Sequence, residues 1–308
     1  ITILIIILSS LSSVYSQDTL SIDTVKLSEV TIQGIRAGSK TPVTQKTITS
    51  SDIDRIYHTQ ELPMLLNTTP NVTSSTDGGH NMGYTSFRLR GIDQTRINMT
   101  LDGVPLNEPE DQGVYFSNYP DFTNSIKSMQ IQRGVGTSTN GVSSYAGSIS
   151  FESPTGLDKS SEAQIGYGSF NTYRVSAENS TGLMKNKMAF YTRYSTYASD
   201  GYKYNSGGKG QSFFLSGGYY GSKDFVKVTA FSGHSVNQMA WFAVAESDIE
   251  NDPRTNYNTT REKDDFTQSM VILKHKHFFN NSNLTTTAFY NRLDGEWGLD
   301  LLPLGGGN

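Results

Sequence analysis

The sequence contains no cysteine in 308 residues, which excludes thiol nucleophiles, disulfide scaffolds and Cys-ligated zinc. Charge is scarce, at 18% Asp, Glu, Lys and Arg against roughly 25% in an average soluble domain. Apolar residues are scarce too, at 35%. The net charge of −4 comes without a basic stripe, which argues against nucleic acid as a partner. What is plentiful is Gly (29), Tyr (17) and Phe (15), with only 2 Trp. That balance suits strands with one apolar and one polar face.

The longest apolar run is Ile1 to Leu8, followed by small and polar residues up to Ser16. It reads as the hydrophobic part and cleavage region of an export signal over residues 1–16, with its start missing. It is shorter than the ~20 residues a membrane-spanning helix needs, and no later run approaches that length. A membrane span in the exported chain would therefore be built from strands. Residues 17–26 are polar and read as a tether.

Enzymatic motifs fail on inspection. Gly134-Val135-Gly136 lacks the third glycine of a dinucleotide loop, because position 139 is Thr. Gly208-Lys209 is followed by Gly210, so no phosphate loop is present. His275 and His277 share a strand face, but the sequence offers no third ligand beside them, and a wall pair is expected instead of a metal site. We expect no enzyme and no resident cofactor or metal.

Two textures divide the rest. Ser50 to Asn71 is helical: Ser51 is expected to cap a turn carrying Ile53 and Ile56. Thr59 is expected to cap a second turn with Leu62, Leu65 and Leu66 on one face. From Tyr84 to Ser153 short strands alternate with Gly-rich turns, as in a small mixed domain. Beyond Pro154, Ala163, Ile165 and Tyr167, then Tyr173, Val175 and Ala177, fall on one parity, with Glu162, Gln164, Arg174, Ser176 and Glu178 on the other. The pattern repeats through Tyr290 and predicts six or seven strands of about ten residues. Soluble sandwiches share this period of two. The export signal, the alternation of short and long connections and the Tyr-rich strand ends favour a transmembrane β-barrel.

Four motifs give the small domain a resemblance. They are Phe87-Arg88-Leu89-Arg90-Gly91, Arg96 to Leu106 with the Asp102-Gly103 turn, Ile126 to Gly134 with Arg133, and Tyr145 to Phe151. In this order and spacing they resemble the plug of TonB-dependent outer-membrane receptors. The resemblance implies a small α+β plug over residues 27–155, a mixed sheet with short helices. The first strands of an incomplete antiparallel barrel of about 22 strands follow over residues 156–308. It also implies TonB and outer-membrane lipid as partners, and cargo import driven by the proton gradient as function.

Site residues follow from that likeness. Leu27, Ser28, Glu29, Val30, Thr31, Ile32 and Gln33 sit where the family keeps its TonB box, an extended segment able to add to a partner's sheet edge. Arg88, Arg90 and Arg133, beside Gly91 and Gly134, can form bidentate pairs with wall carboxylates, with solvated surface arginines as the alternative. Asp102-Gly103 is read as a turn only. The family usually has two glycines before the last plug strand, where Gly147 stands alone, and a Glu where Gln130 and Gln132 stand. Residues Asn237 to Asp265 are similar to an external loop of ferric siderophore and ferric citrate receptors of the Bacteroidetes-type branch. Ligand candidates are Trp241, Arg254 and Tyr257 on that loop, with His80, Asn81 and Tyr84 on a plug turn. A ferric chelate is the expected cargo. Cobalamin or an oligosaccharide is the alternative within the family, and a secreted β-rich adhesin the alternative outside it.

Overall fold

The computed structural model describes residues 36–38, 41–134 and 144–299. The export signal, the tether and the expected TonB box lie outside the described residues. Two bodies share one core.

The first begins with strand β1 (Thr44–Thr49) and helix α1 (Ser50–Ile56). The cap is Thr49, not the expected Ser51. Thr49 accepts from the Asp52 N–H while the Asp52 carboxylate accepts from the Thr49 N–H, a reciprocal box that satisfies two end-of-helix donors. Helix α2 (Leu62–Leu66) is likewise capped by Glu61 instead of Thr59, with proline in its first turn. Thr59 has a positive φ of 74° and lies outside the helix. The side chain of Glu61 makes no capping bond, since it is engaged elsewhere.

Strands β2 (Val72–Thr76), β3 (Thr85–Leu89) and β4 (Ile92–Asp93) form a small sheet. The central sheet joins β1, β5 (Ile97–Leu101), β6 (Val104–Pro105), β7 (Ser128–Arg133) and β8 (Gly147–Glu152) in the order β1-β7-β8-β5-β6. Strands β5 and β8 run parallel and the remaining pairs antiparallel. Both β5 and β8 are buried along their whole length, so the sheet is covered on both faces. Gly147 is glycine for a steric reason: a Cβ there would meet the Gln132 carbonyl oxygen at 2.5 Å and Leu89 Cδ2 at 2.6 Å.

The second body is a seven-stranded antiparallel sheet in sequence order. Its strands are β9 (Ser160–Tyr167), β10 (Tyr173–Ser180), β11 (Met188–Ser199), β12 (Gly208–Tyr220), β13 (Asp224–Gln238), β14 (Lys263–Phe278) and β15 (Asn283–Trp297). Short turns at 181–187, 221–223 and 279–282 define one rim. Loops 168–172, 200–207 and 239–262 define the other, the last holding helix α3 (Glu246–Asn251).

Parity sorts this wall as the sequence predicts, with the polar row inward. Arg174, Ser176, Arg193, Ser195, Ser212, Ser216, Lys227 and Thr229 are buried, whereas Ile165, Tyr167, Tyr173, Val175, Phe213, Val271 and Leu273 are exposed. A sandwich in water has the opposite arrangement. No helix among the described residues is long and apolar enough to cross a membrane. Inward Tyr191, Phe214, Phe231, Met270 and Ile272 belong to the same core cluster as Leu65, Phe87, Met99 and Phe151 of the first body. Tyr119 stacks on Phe231 with ring centroids 5.6 Å apart. The small domain is therefore packed against the wall as a core, not tethered beside it.

Candidate functional site

Two buried ionic joints lock the bodies together. In the first, Asp121 caps a single 3₁₀ turn (Phe122–Ser125) in the left-handed region at φ 54°, which aims its carboxylate at the wall. Arg174 of β10 donates through Nε to Oδ1 at 3.0 Å and through Nη2 to Oδ2 at 2.9 Å. Arg193 of β11 reaches Oδ2 at 3.3 Å and pairs through Nη1 with Glu178 at 2.6 Å. The Tyr57 hydroxyl also donates to Asp121, and the Arg174 guanidinium lies 5.2 Å over the Tyr57 ring. Asn124, with its carbonyl oxygen turned inward, accepts from both arginines. Burial pushes the Asp121 carboxyl up, but Arg174 and Arg193 outweigh it and hold the group below the usual carboxylate range.

The second joint is Asp102. The pair Asp102-Gly103 does form a turn, with φ of 49° and 89° at its two central positions, the primed geometry of tight hairpins. It does more than turn. The Asp102 carboxylate accepts from Thr229 Oγ1 at 2.7 Å and Ser153 Oγ at 2.5 Å, with Lys227 Nζ at 3.3 Å. Lys274 Nζ donates to its carbonyl at 2.5 Å. Burial raises this carboxyl, and Lys227, Ser153, Thr229 and Lys274 together bring it below its ordinary value.

At the long-loop rim the six ligand candidates separate into groups. Tyr84 and Trp241 come together across the two bodies, ring centroids 5.9 Å apart. Arg254 braces neighbouring loops: it donates to the Tyr202 carbonyl at 2.6 Å and lies 4.7 Å over the Tyr204 ring and 5.3 Å over Phe170. Tyr257 donates its hydroxyl to Asp248 at 2.5 Å. Asn81 is exposed, and its carbonyl accepts the Glu61 N–H at 2.9 Å. Both ring nitrogens of His80 are shielded from solvent, and burial pushes the imidazole below its usual range against a backbone hydrogen bond to Gly78. Beneath this turn Glu61 accepts from the Gly83 N–H at 2.9 Å and Thr85 Oγ1 at 2.6 Å. Burial raises its carboxyl to about 8, against the pull of those two donors.

The family comparison fits this arrangement. The model of the TonB-dependent Receptor Plug Domain family matches residues 37–148. Those residues are a TonB-dependent receptor plug. No curated protein matches the chain by sequence. Among solved structures, the unliganded ferric citrate transporter FecA is similar at TM-score 0.68 and 15% identity, over 84% of this chain and 41% of FecA. FpvA of P. aeruginosa, bound to a heterologous pyoverdine with iron, gives 0.64 and 14%, over 84% and 35%. The copper transporter OprC gives 0.61 and 16%, over 82% and 37%. At these identities the likeness is one of fold: a plug followed by the opening strands of a receptor barrel. The chain spans well under half the length of each of these structures.

The plug's family arginines do not pair as expected. Arg88 and Arg90 are exposed, and among the described residues neither they nor Arg133 has a carboxylate within ion-pair distance. Arg90 and Gly91 are the central residues of the β3–β4 hairpin turn, with φ of 55° and 80°, and Arg88 donates to the Gly91 carbonyl. Arg133 donates to the Pro70 carbonyl at 3.3 Å, while Gly134 continues β7 by bonding Ala146. Observed plug–wall pairs have the reverse polarity, with carboxylates on the plug and cations on the wall. Arg36 is a further residue the sequence does not single out. It lies across β7 and β8, donating to the Ser150 carbonyl at 2.7 Å, the Ser128 carbonyl at 3.0 Å and Ser128 Oγ at 2.8 Å, with Glu152 at 3.4 Å. Gln130 holds the next residue on both sides, accepting the Ala37 N–H at 2.8 Å and donating to its carbonyl at 3.1 Å. Gln130 thus pins the entering chain through its backbone, and Gln132 donates to the Gln130 side-chain carbonyl at 3.1 Å.

Proposed function

We propose that this chain is part of an outer-membrane active-transport receptor that imports a ferric chelate, a ferric siderophore or ferric citrate, using energy delivered by TonB. The observation that carries the reading is the plug held inside a polar-lined, apolar-faced wall by two buried ionic joints. In this reading residues 27–155 are the plug unit and 156–308 the first barrel strands. The outward row faces lipid, the short-turn rim faces the periplasm, and the long loops face outside. Leu27 to Gln33 is the TonB box. The chelate is cargo and not a resident cofactor, and no group here performs covalent chemistry.

Cargo of this class needs convergent aromatic walls, amides and cations. Tyr84 with Trp241 supplies a wall shared by plug and barrel, and His80 a shielded imidazole on the same plug turn as Tyr84. Receptors for ferric citrate, ferric pyoverdine and copper share the fold, which supports metal-chelate cargo. The complete receptor carrying this sequence is purified and tested against ferric citrate, catecholate and hydroxamate chelates, cobalamin and oligosaccharides. A ferric chelate is expected to bind, and Trp241→Ala to weaken it by about 1–3 kcal/mol. Binding of cobalamin or an oligosaccharide with none of the chelates overturns the iron reading.

A further inference from the structure

The two histidines set aside in the sequence do have a third ligand. Strand register pairs Asp224, the first residue of β13, directly with His277 of β14, and pairs Val226 with His275. Asp224 is thus opposite one imidazole and diagonal to the other, and the alternation of a strand puts all three side chains on one face. Asp224 Oδ1 lies 2.7 Å from His277 Nδ1 and 2.9 Å from His275 Nε2. One ligand atom from each of the three residues falls within a 4.8 Å cluster. Sequence distance conceals this arrangement, because the long loop 239–262 separates the two strands.

We propose that Asp224, His275 and His277 bind a divalent metal ion of the zinc class on the outward face of the wall, at its short-turn rim. Two imidazoles and a carboxylate are the donor set that zinc takes with one position left open. Calcium and magnesium prefer oxygen-only shells. Bonds of about 2.0–2.2 Å in a tetrahedron put ligand atoms a little over 3 Å apart, so a few tenths of an ångström of opening admits the ion. Entry is free, since the three side chains are between 33% and 46% exposed. The Phe279 ring packs edge-on against His277 at 4.5 Å, which fixes that imidazole.

Position gives the site a role. Strands β13 and β14 are joined covalently only through loop 239–262, at the opposite rim. A metal bridging Asp224 to the two histidines clamps the ends that have no such tie. On the same outward row, apolar Val226, Val228, Val271 and Leu273 give way to this polar trio. If the transporter reading holds, the clamp therefore sits where the lipid band meets the periplasm. The metal site itself does not depend on that reading.

The test uses the complete receptor in detergent, stripped with a chelator and titrated with Zn²⁺ alone and then with Co²⁺. One equivalent of Zn²⁺ is expected to bind, and Co²⁺ to give the intense visible bands of a four-coordinate site. His275→Ala and His277→Ala are each expected to weaken Zn²⁺ by at least about tenfold, and Asp224→Asn to weaken it as well. His234→Ala, on the same two-strand ribbon and near Asp265, should leave it unchanged. Circular dichroism of each variant reports that the strands remain. Failure to bind one equivalent, or wild-type affinity in either histidine variant, overturns the site. Cargo binding is not read in this experiment, so its outcome is separate from that of the transport reading.

Discussion

Arg174 grips Asp121 with two parallel hydrogen bonds, Nε to Oδ1 at 3.0 Å and Nη2 to Oδ2 at 2.9 Å, with both side chains almost wholly buried. A planar guanidinium matched to a carboxylate in this way gains direction as well as charge. Because Arg193 shares the same carboxylate, removing its charge strands Arg174 and, among the described residues, leaves Arg193 with Glu178 alone. Asp121→Asn is expected to destabilise plug docking by about 3–5 kcal/mol, the range for breaking a buried pair on one side. Urea-induced release of the plug, followed by protease access to residues 49–57, measures it. Arg88→Ala, at an exposed position, should shift release by no more than about 0.5 kcal/mol.

The joint at Asp102 permits a cleaner experiment. Asp102→Asn leaves Lys227, 2% exposed, without its partner, and Lys227→Met leaves Asp102 ionised and buried. Each single change should weaken docking by several kcal/mol, at about the scale of a broken buried pair. The double variant should recover most of that loss, since neither charge then remains to be solvated. A double variant as weak as the sum of the two singles would mean that the residues act independently.

Local patterns carried the fold but could not carry the joints. Alternation of Tyr173, Val175 and Ala177 with Arg174 and Ser176 declares strand parity within a few residues, and parity alone puts Arg174 inward. Which plug group meets it is a different kind of fact. Asp121 precedes Arg174 by 53 positions, and Asp102 precedes Lys227 by 125. Each meeting depends on strand register and domain docking, neither of which has a local signal. Arg90 misled for a local reason. Its motif looks like a displayed cation, yet the following Gly91 makes the pair a primed turn that points the side chain to the surface. The first helix starts two residues earlier than its sequence suggests, because Thr49 with Asp52 forms the reciprocal box and takes Ser51 inside the helix. The Tyr84–Trp241 contact joins two of the proposed ligand residues, whereas Arg254 and Tyr257 are occupied inside the loops.

Glu61 makes plug stability depend on pH in an unusual direction. In the unfolded chain it ionises near its ordinary 4.5, whereas in the fold it keeps its proton up to about 8. Between those values the folded state binds more protons than the unfolded one. This residue's contribution therefore falls as pH rises through the window and levels off above it. Glu61→Gln keeps an acceptor for the Gly83 N–H and cannot ionise. The variant should match wild type near pH 4.5 and exceed it by on the order of 2 kcal/mol at pH 9, at about 1.4 kcal/mol per pKa unit discounted for partial exposure. Denaturant midpoints at the two pH values check this. A constant difference between variant and wild type would show that Glu61 is ionised in the fold.

Arg36 lies three positions after the proposed TonB box, and its bonds to the plug sheet can resist a pull on that box. Its guanidinium bonds two backbone carbonyls and a hydroxyl on adjacent strands, 2.7 to 3.0 Å away, and among the described residues these bonds precede the β1–β7 ladder along the chain. Two substitutions separate grip from pull. Val30→Pro removes a backbone donor and blocks strand addition to TonB. It is expected to abolish uptake while cargo binding stays unchanged. Arg36→Ala leaves the box intact but frees its anchor, and among the described residues it leaves the Glu152 carboxylate with Ser128 and the more distant Lys127. Lost charged hydrogen bonds of about 1.5–3 kcal/mol each should lower the force at which single-molecule pulling on the N-terminus extracts the first plug segment. Cargo affinity should not change. Uptake at a normal rate in Val30→Pro would place the box elsewhere, and an unchanged extraction force in Arg36→Ala would show that the first resistance lies deeper, in the sheet.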